Sequence, residues 1–219
     1  MSAKLVFFSD FVCPFCFVAE RGVLQKLVAE LDLDLEWSGF QLHPRTPKGG
    51  QALSSLFPAA KLPAMRENMK KFSQGFGVTL IQGDHLPNTR RPLAVAEYAR
   101  SQGRLHPFRS AVMDAHWLAE RDIETDDVIG DCAVTAGLDR ASAIASADDP
   151  QWLAKVDAQG AEARKWGVSG VPTYFILPDG WKPGDPPPAD GRKPAKIVGC
   201  QSEDLVRNAC RVAGVQPRQ

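Results

Sequence analysis

Phe11-Val12-Cys13-Pro14-Phe15-Cys16-Phe17 is the stretch that decides how the rest of the chain is read. It follows an unbroken apolar run, Leu5-Val6-Phe7-Phe8, and leads into a segment with helical periodicity. A strand that delivers two cysteines, spaced by two residues, onto the start of a helix is a redox arrangement. The first helical turn carries unpaired N–H groups and the positive end of the macrodipole, which stabilise a thiolate. Cys13 is therefore expected to ionise more readily than a free cysteine and to be partly exposed, thiolate being the form that attacks disulfides. Pro14 suits an early helical position, where its missing N–H is not needed. Cys16, one turn further in, is expected to be the less exposed, resolving thiol. The alternatives are a pair of small apolar core residues or half of a zinc site; the strand-then-helix context favours the redox pattern.

Composition narrows the classes. The chain has 219 residues, enough for one large domain or a domain with a substantial insertion. Lys plus Arg (26) balances Asp plus Glu (26), so no nucleic-acid or membrane surface is expected. The five cysteines, Cys13, Cys16, Cys132, Cys200 and Cys210, are odd in number and irregular in spacing, which argues against a secreted disulfide scaffold. Met1-Ser2-Ala3-Lys4 runs straight into the first strand with no signal-peptide pattern, and no stretch has the length and apolarity of a bilayer span. A cytoplasmic location is the expectation.

Leu5 to Ser9 reads as a buried strand. The helix after it is expected to run from about Pro14 to Leu31, with Phe17, Leu24, Leu27, Val28 and Leu31 on one face. Leu33, Leu35 and Trp37 alternate with polar residues as a half-buried strand, completing a β-α-β unit. The pattern breaks at Gln41–Gly50. From about Gln51 to Trp166 helices dominate, with Val78–Gln82 the one strand candidate. Strand character returns at Thr173–Leu177 and, after a proline-rich loop, at Lys196–Val198. A closing helix spans Ser202–Ala213, with Leu205, Val206, Ala209 and Val212 or Ala213 inward. The order β-α-β, helical block, β-β-α defines the expected fold class: α/β, a thioredoxin fold with an inserted all-helical domain. The expected boundaries are 1–45 and 168–219 for the discontinuous thioredoxin-like domain and 46–167 for the insert.

Gly167-Val168-Ser169-Gly170-Val171-Pro172 enters the third strand of that fold. A proline removes a backbone donor where a sheet begins, which a strand tolerates at its first residue. In a thioredoxin fold this pair is X-cis-Pro, packed against the dithiol; Val171–Pro172 is expected to be cis, with the Val171 backbone available to an extended substrate. A plain trans proline at a strand start is the alternative. The strand directions bring Gly199-Cys200-Gln201 back to the edge that carries Cys13. Cys200 is thus an accessory-thiol candidate, or simply a small residue in a tight turn.

The chain resembles the DsbA-like thioredoxin-fold family, and within it the cytoplasmic FrnE branch. The residues that carry the resemblance are Asp10–Cys16, Phe40-Gln41-Leu42-His43-Pro44, Asn88-Thr89-Arg90, Gly167–Pro172 and Gly199-Cys200-Gln201. The resemblance implies a thiol-disulfide oxidoreductase with Cys13 as nucleophile, Cys16 as resolving thiol and Pro172 as cis-proline. Two residues depart from that branch: Phe15 stands where Trp is usual, and Cys200 where Ala is common. Pro14, Phe15, Val171, Asn88 and Arg90 are the candidate substrate-contacting residues, although Asn88 and Arg90 also fit an ordinary solvated helix start. Cys132 and Cys210 fall among inward-facing helical residues and read as packing groups.

The substrate implied is a protein or small-molecule disulfide or dithiol, with no bound cofactor or metal and with glutathione or another thiol as candidate redox co-substrate. The rival function is a glutathione-dependent isomerase or transferase resembling the kappa-class and 2-hydroxychromene-2-carboxylate isomerase relatives, which share the inserted-helix architecture and need no second cysteine. Cys16 is the discriminating residue. Redox direction and oligomeric state are not written in the sequence.

Overall fold

The computed structural model describes residues 3–182, 184–186 and 188–218. In chain order the elements are β1 (Ala3–Ser9), α1 (Pro14–Ala19), a π-helical turn (Glu20–Leu24), α2 (Gln25–Glu30), β2 (Leu33–Gly39), β3 (Gln51–Ala52), α3 (Leu62–Gly75), β4 (His85–Leu86) and α4 (Arg90–Ser101). There follow α5 (Leu105–Trp117), α6 (Asp126–Thr135), α7 (Arg140–Ser146), α8 (Pro150–Lys165), β5 (Thr173–Leu177), β6 (Ala195–Val198) and α9 (Glu203–Val212), with short 3-10 turns at Leu53–Ser55 and Ala59–Lys61.

Two compact units result. One comprises the chain up to Phe40 and from Glu162 onward; the other is Gln41–Ala161. The expected division at 45/46 and 167/168 differs by a few residues at each join. The physical reason at the second join is Trp166, whose ring meets Phe8 at 5.7 Å and Phe175 at 5.0 Å and so belongs with the sheet.

The first unit is built on a four-stranded sheet of order β2-β1-β5-β6. β1 and β2 are parallel, in the register Leu5↔Leu35 and Phe7↔Trp37, as a β-α-β crossover requires. β5 lies antiparallel to β1 and to β6. Val6, Phe8, Phe175 and Leu177 face one way and pack with Ala163 and Val168. Leu5, Phe7, Tyr174 and Ile176 are fully buried at the alternate positions, so both central strands are covered on both faces. The first helix does not run as one regular α-helix: α1 and α2 join through the π turn, where the backbone makes a wider turn. One expectation for α9 is corrected, the inward placement of Leu205, and of the pair Val212 or Ala213 it is Ala213 that is buried. Val206, Cys210 and Ala213 are buried, whereas Leu205 (45 % exposed) and Val212 (39 %) face outward. The apolar residues of this helix outnumber the width of the stripe that meets the sheet.

The second unit is mostly helical, with α4, α5, α6 and α7 supplying Leu93, Phe108, Val112, Met113, Ile129 and Ala143 to its core. The strand expected at Val78–Gln82 is absent; Ile81 instead donates its amide to the Trp117 carbonyl at 2.7 Å. A two-stranded ladder forms elsewhere, pairing Gln51 with Leu86 and Ala52 with His85. Two-residue strands are too short to show a period, which is why the sequence does not reveal them. Thr125 and Asp139 cap α6 and α7, accepting from the amides of Val128 and Ser142. No helix among the described residues is long and apolar enough to cross a membrane.

Candidate active site

Cys13 is the residue that starts the helix. Its backbone is extended (φ −90°, ψ 110°), Pro14 occupies the first helical position, and the Cys13 carbonyl accepts from the amides of Cys16 at 3.0 Å and Phe17 at 3.2 Å. The sulfur takes the place of a capping side chain: Cys13 Sγ accepts the Cys16 N–H at 3.3 Å. On its other side the Cys13 thiol donates to the Val171 carbonyl at 3.5 Å. Both cysteines are free thiols. Partial exposure of Cys13 is corrected: the residue is 2 % exposed and Cys16 0 %. What the site does present is Phe15, 44 % exposed, beside a half-buried Pro14.

Burial pushes the Cys16 thiol well above its ordinary pKa, and the hydrogen bond and charge of Cys13 push it further. The Asp10 backbone and the Ser9 side chain oppose that rise in part. The consequence is an inner sulfur that holds its proton.

The Val171–Pro172 peptide bond is cis. Thr173 Oγ1 donates to the Gly170 carbonyl at 2.7 Å and fixes the turn before β5. The Gly199 amide donates to the Pro172 carbonyl at 2.8 Å, prolonging the β5–β6 pairing by one bond beyond Thr173↔Val198. Gly199 adopts φ 80°, a left-handed conformation that suits glycine. Cys200 follows it, half-buried, with its thiol pushed up to about 12 by burial and by the charge on Cys13. The structure thus brings Cys13, Cys16, Val171, Pro172 and Cys200 to one edge of the sheet.

One residue there had no sequence signal. Tyr174 is fully buried, stacks on Phe7 at 5.2 Å, and interacts electrostatically with Cys200, Cys16 and Cys13. Every residue of β5 is buried, so alternation cannot tell which side chains lie under the thiols.

Asn88 and Arg90 belong to the second unit. Asn88 Oδ1 accepts the Arg90 amide at 2.9 Å and the Gln41 side-chain amide at 3.0 Å, and its own Nδ2 donates to the Thr46 carbonyl at 2.6 Å. Arg90 makes a two-pronged pair with Asp157 at 2.7 and 2.9 Å, which raises its pKa. Cys132 and Cys210 are buried, each thiol pushed up to about 11 by desolvation. Among the described residues no group of three His, Cys, Asp or Glu side chains is arranged to hold a metal.

A sheet of this topology, with a dithiol at the first helix and a cis-proline opposite, defines a thioredoxin-fold protein. The chain matches the DSBA-like thioredoxin domain over residues 4–211 and belongs to that family. It is 25 % identical to the uncharacterized protein YwbO of Bacillus subtilis over 80 % of this chain and 88 % of that one. Among solved structures it resembles the probable DsbA oxidoreductase of Streptomyces coelicolor, with TM-score 0.81, 20 % identity and coverage of 97 % and 90 %. It also resembles a 2-hydroxychromene-2-carboxylate isomerase, with TM-score 0.71, 19 % identity and coverage of 95 % and 94 %. The cytosolic disulfide reductase DsbM of Pseudomonas aeruginosa is similar too, with TM-score 0.62, 15 % identity and coverage of 96 % and 95 %.

Proposed function

We propose that this protein is a thiol-disulfide oxidoreductase that works through Cys13 and Cys16. The observation that carries the proposal is the sulfur of Cys13 at the helix start, held between the Cys16 amide and the Val171 carbonyl. The Cys13 thiolate attacks one sulfur of a substrate disulfide; that S–S bond breaks, one substrate thiolate leaves, and a Cys13–substrate disulfide forms. Cys16 then attacks Cys13 Sγ, the mixed disulfide breaks, the second substrate thiol leaves, and a Cys13–Cys16 disulfide remains. Two equivalents of a thiol such as glutathione restore the dithiol and depart as one disulfide. The reverse sequence oxidises a substrate dithiol. The structural neighbour DsbM has been solved with GSH, which supports glutathione as the co-substrate to try first. Pro14, Phe15 and Val171 are the residues that meet the substrate at this edge; Asn88 and Arg90 are further candidates. A cytoplasmic setting, where thiols are kept reduced, fits five unpaired cysteines.

Replacing Cys13 with Ser is expected to abolish glutathione-dependent reduction of a model protein disulfide. Full activity in that variant would end the proposal. Cys16→Ser is expected to accumulate Cys13–substrate mixed disulfides, seen as an added mass on the Cys13 peptide.

The second function to test is isomerisation of a small molecule by thiol addition, favoured by the likeness to 2-hydroxychromene-2-carboxylate isomerase. It has no use for Cys16. A Cys16→Ser protein that still isomerises such a substrate with glutathione, and traps no disulfide, would establish it instead.

A further inference from the structure

Tyr174 carries a hydroxyl that the cycle above leaves without a task. The side chain is fully buried, yet its oxygen has no hydrogen-bond partner among the described residues. Leaving a buried hydroxyl unmatched destabilises the folded state. Such groups are rare enough in folded proteins that each calls for a cause. Phenylalanine would make the same ring stack on Phe7 without that cost, since the contact at 5.2 Å and 23° involves only the rings.

The position of the residue supplies a cause. Tyr174 stands two residues after the cis-proline and is paired in the sheet with Phe7, on the strand that delivers Cys13. The carbonyl of Val171, just ahead of it, receives the Cys13 thiol. The thiols close enough to act electrostatically on the phenol are Cys13 and Cys16, at the start of the first helix, and Cys200 from the turn after β6. Ser9 and Asp10, at the end of β1, close the same region beside Cys16. The phenol itself is held far from ionising by burial and by these sulfurs, so it keeps the proton it can donate.

We propose that Tyr174 is a positioning residue whose hydroxyl is the internal hydrogen-bond donor, direct or through one water, for the negative charge carried by the Cys13–Cys16 pair. The inference deepens the dithiol cycle and rests on it. The donor is unmatched in the neutral dithiol because its acceptor is a thiolate, present only when a sulfur is ionised. No bond to Tyr174 forms or breaks. In the second exchange Cys16 gives up its proton, which ends on the departing substrate thiolate, and the phenol stabilises the charge in passing.

The test is a thiolate titration of the fully reduced protein by ultraviolet absorbance, with the rate of iodoacetamide alkylation of Cys13 at neutral pH. In Tyr174→Phe the apparent pKa of the pair should rise and the alkylation rate should fall about tenfold, the size of one hydrogen bond to a charged acceptor. Stability to urea should be unchanged or higher, because the variant buries no unmatched hydroxyl. An unchanged titration and rate would overturn the proposal. A second arm works in the opposite direction and keeps the ring. The chain has two tyrosines, Tyr98 and Tyr174, so fluorotyrosine incorporated in a Tyr98→Phe background labels Tyr174 alone. The more acidic phenol is the stronger donor and should lower the apparent pKa; no shift would again overturn the proposal. The two possible failures are separable. Failure of the cycle appears as wild-type protein that reduces no disulfide, and failure of the donor as a Tyr174→Phe protein that titrates like wild type.

Discussion

At the scale of single residues, the chemistry of this protein depends on how burial treats each titratable group. Cys16 and His116 illustrate two outcomes. Cys16 is kept protonated by burial and by its neighbour, which suits the resolving role proposed for it. His116 is kept neutral: burial lowers its pKa from 6.5 to about 4, its Nδ1 lies buried, and its ring meets Trp117 at 4.6 Å. The sign of the effect on stability follows. Between those two values the unfolded chain binds a proton that the folded one refuses, so stability is lost as pH falls from about 6.5 towards 4 and is level below that. The full shift corresponds to about 3.5 kcal/mol at most, from about 1.4 kcal/mol for each pKa unit. Urea unfolding of wild type at neutral pH and at about pH 5 should show the loss, and His116→Gln should lose less over the same interval.

At the scale of elements, the site is held by what β1, β5 and the turn after β6 do to one another. Phe8 is 2 % exposed and meets Trp166 and Phe175 edge-on. Phe8→Ala should destabilise the protein by about 3–5 kcal/mol in urea titrations, the range for a large buried aromatic. Gly199 offers a gentler perturbation. The nearest atom an added methyl would meet is Gln201 Nε2 at 3.7 Å, so Gly199→Ala suffers from its φ of 80° rather than from a clash. The expected cost is about 1–2 kcal/mol, that of a non-glycine residue in the left-handed region. Cys200, next in the chain, shares the sheet edge with Cys13, but its thiol is pushed up to about 12. Peptide mapping after limited alkylation at neutral pH should therefore find Cys13 modified ahead of Cys200; the opposite order would make Cys200 the more reactive thiol.

At the scale of the molecule, the balance of 26 basic and 26 acidic side chains leaves a formal net charge of zero. Much of the charge in the second unit is matched locally, as where Arg121 and Arg140 share Asp127 and Asp131. Pairs of this kind at the surface contribute little to stability. A chain without net charge also exerts little long-range steering on a charged partner. Turnover of a protein disulfide should accordingly change by less than about twofold when ionic strength is raised from low to physiological, where exposed charges are screened. A steep decline with salt would show that a local charged surface recruits the substrate.

The sequence by itself determined the local features. The apolar run before Cys13, the proline after it and the 3.6-residue period beyond define a strand, a helix start and a thiol in the capping position, because each depends only on neighbours in the chain. The β-α-β and β-β-α order then leaves few sheets to choose from, and the observed one has β1 and β5 at its centre. Tertiary structure decided the rest. It brought the Val171 carbonyl, 158 residues away in sequence, into hydrogen-bonding contact with the Cys13 thiol. It turned Val206 and Cys210 of α9 inward while leaving Leu205 and Val212 in solvent. It also brought Tyr174, on β5, within electrostatic reach of two thiols at the first helix and a third after β6. The physical reason is common to all three. A strand buried on both faces and a helix apolar on more than one carry no pattern that says which side meets which partner. That choice is made only when distant segments pack, and the unmatched hydroxyl of Tyr174 exists only once they have.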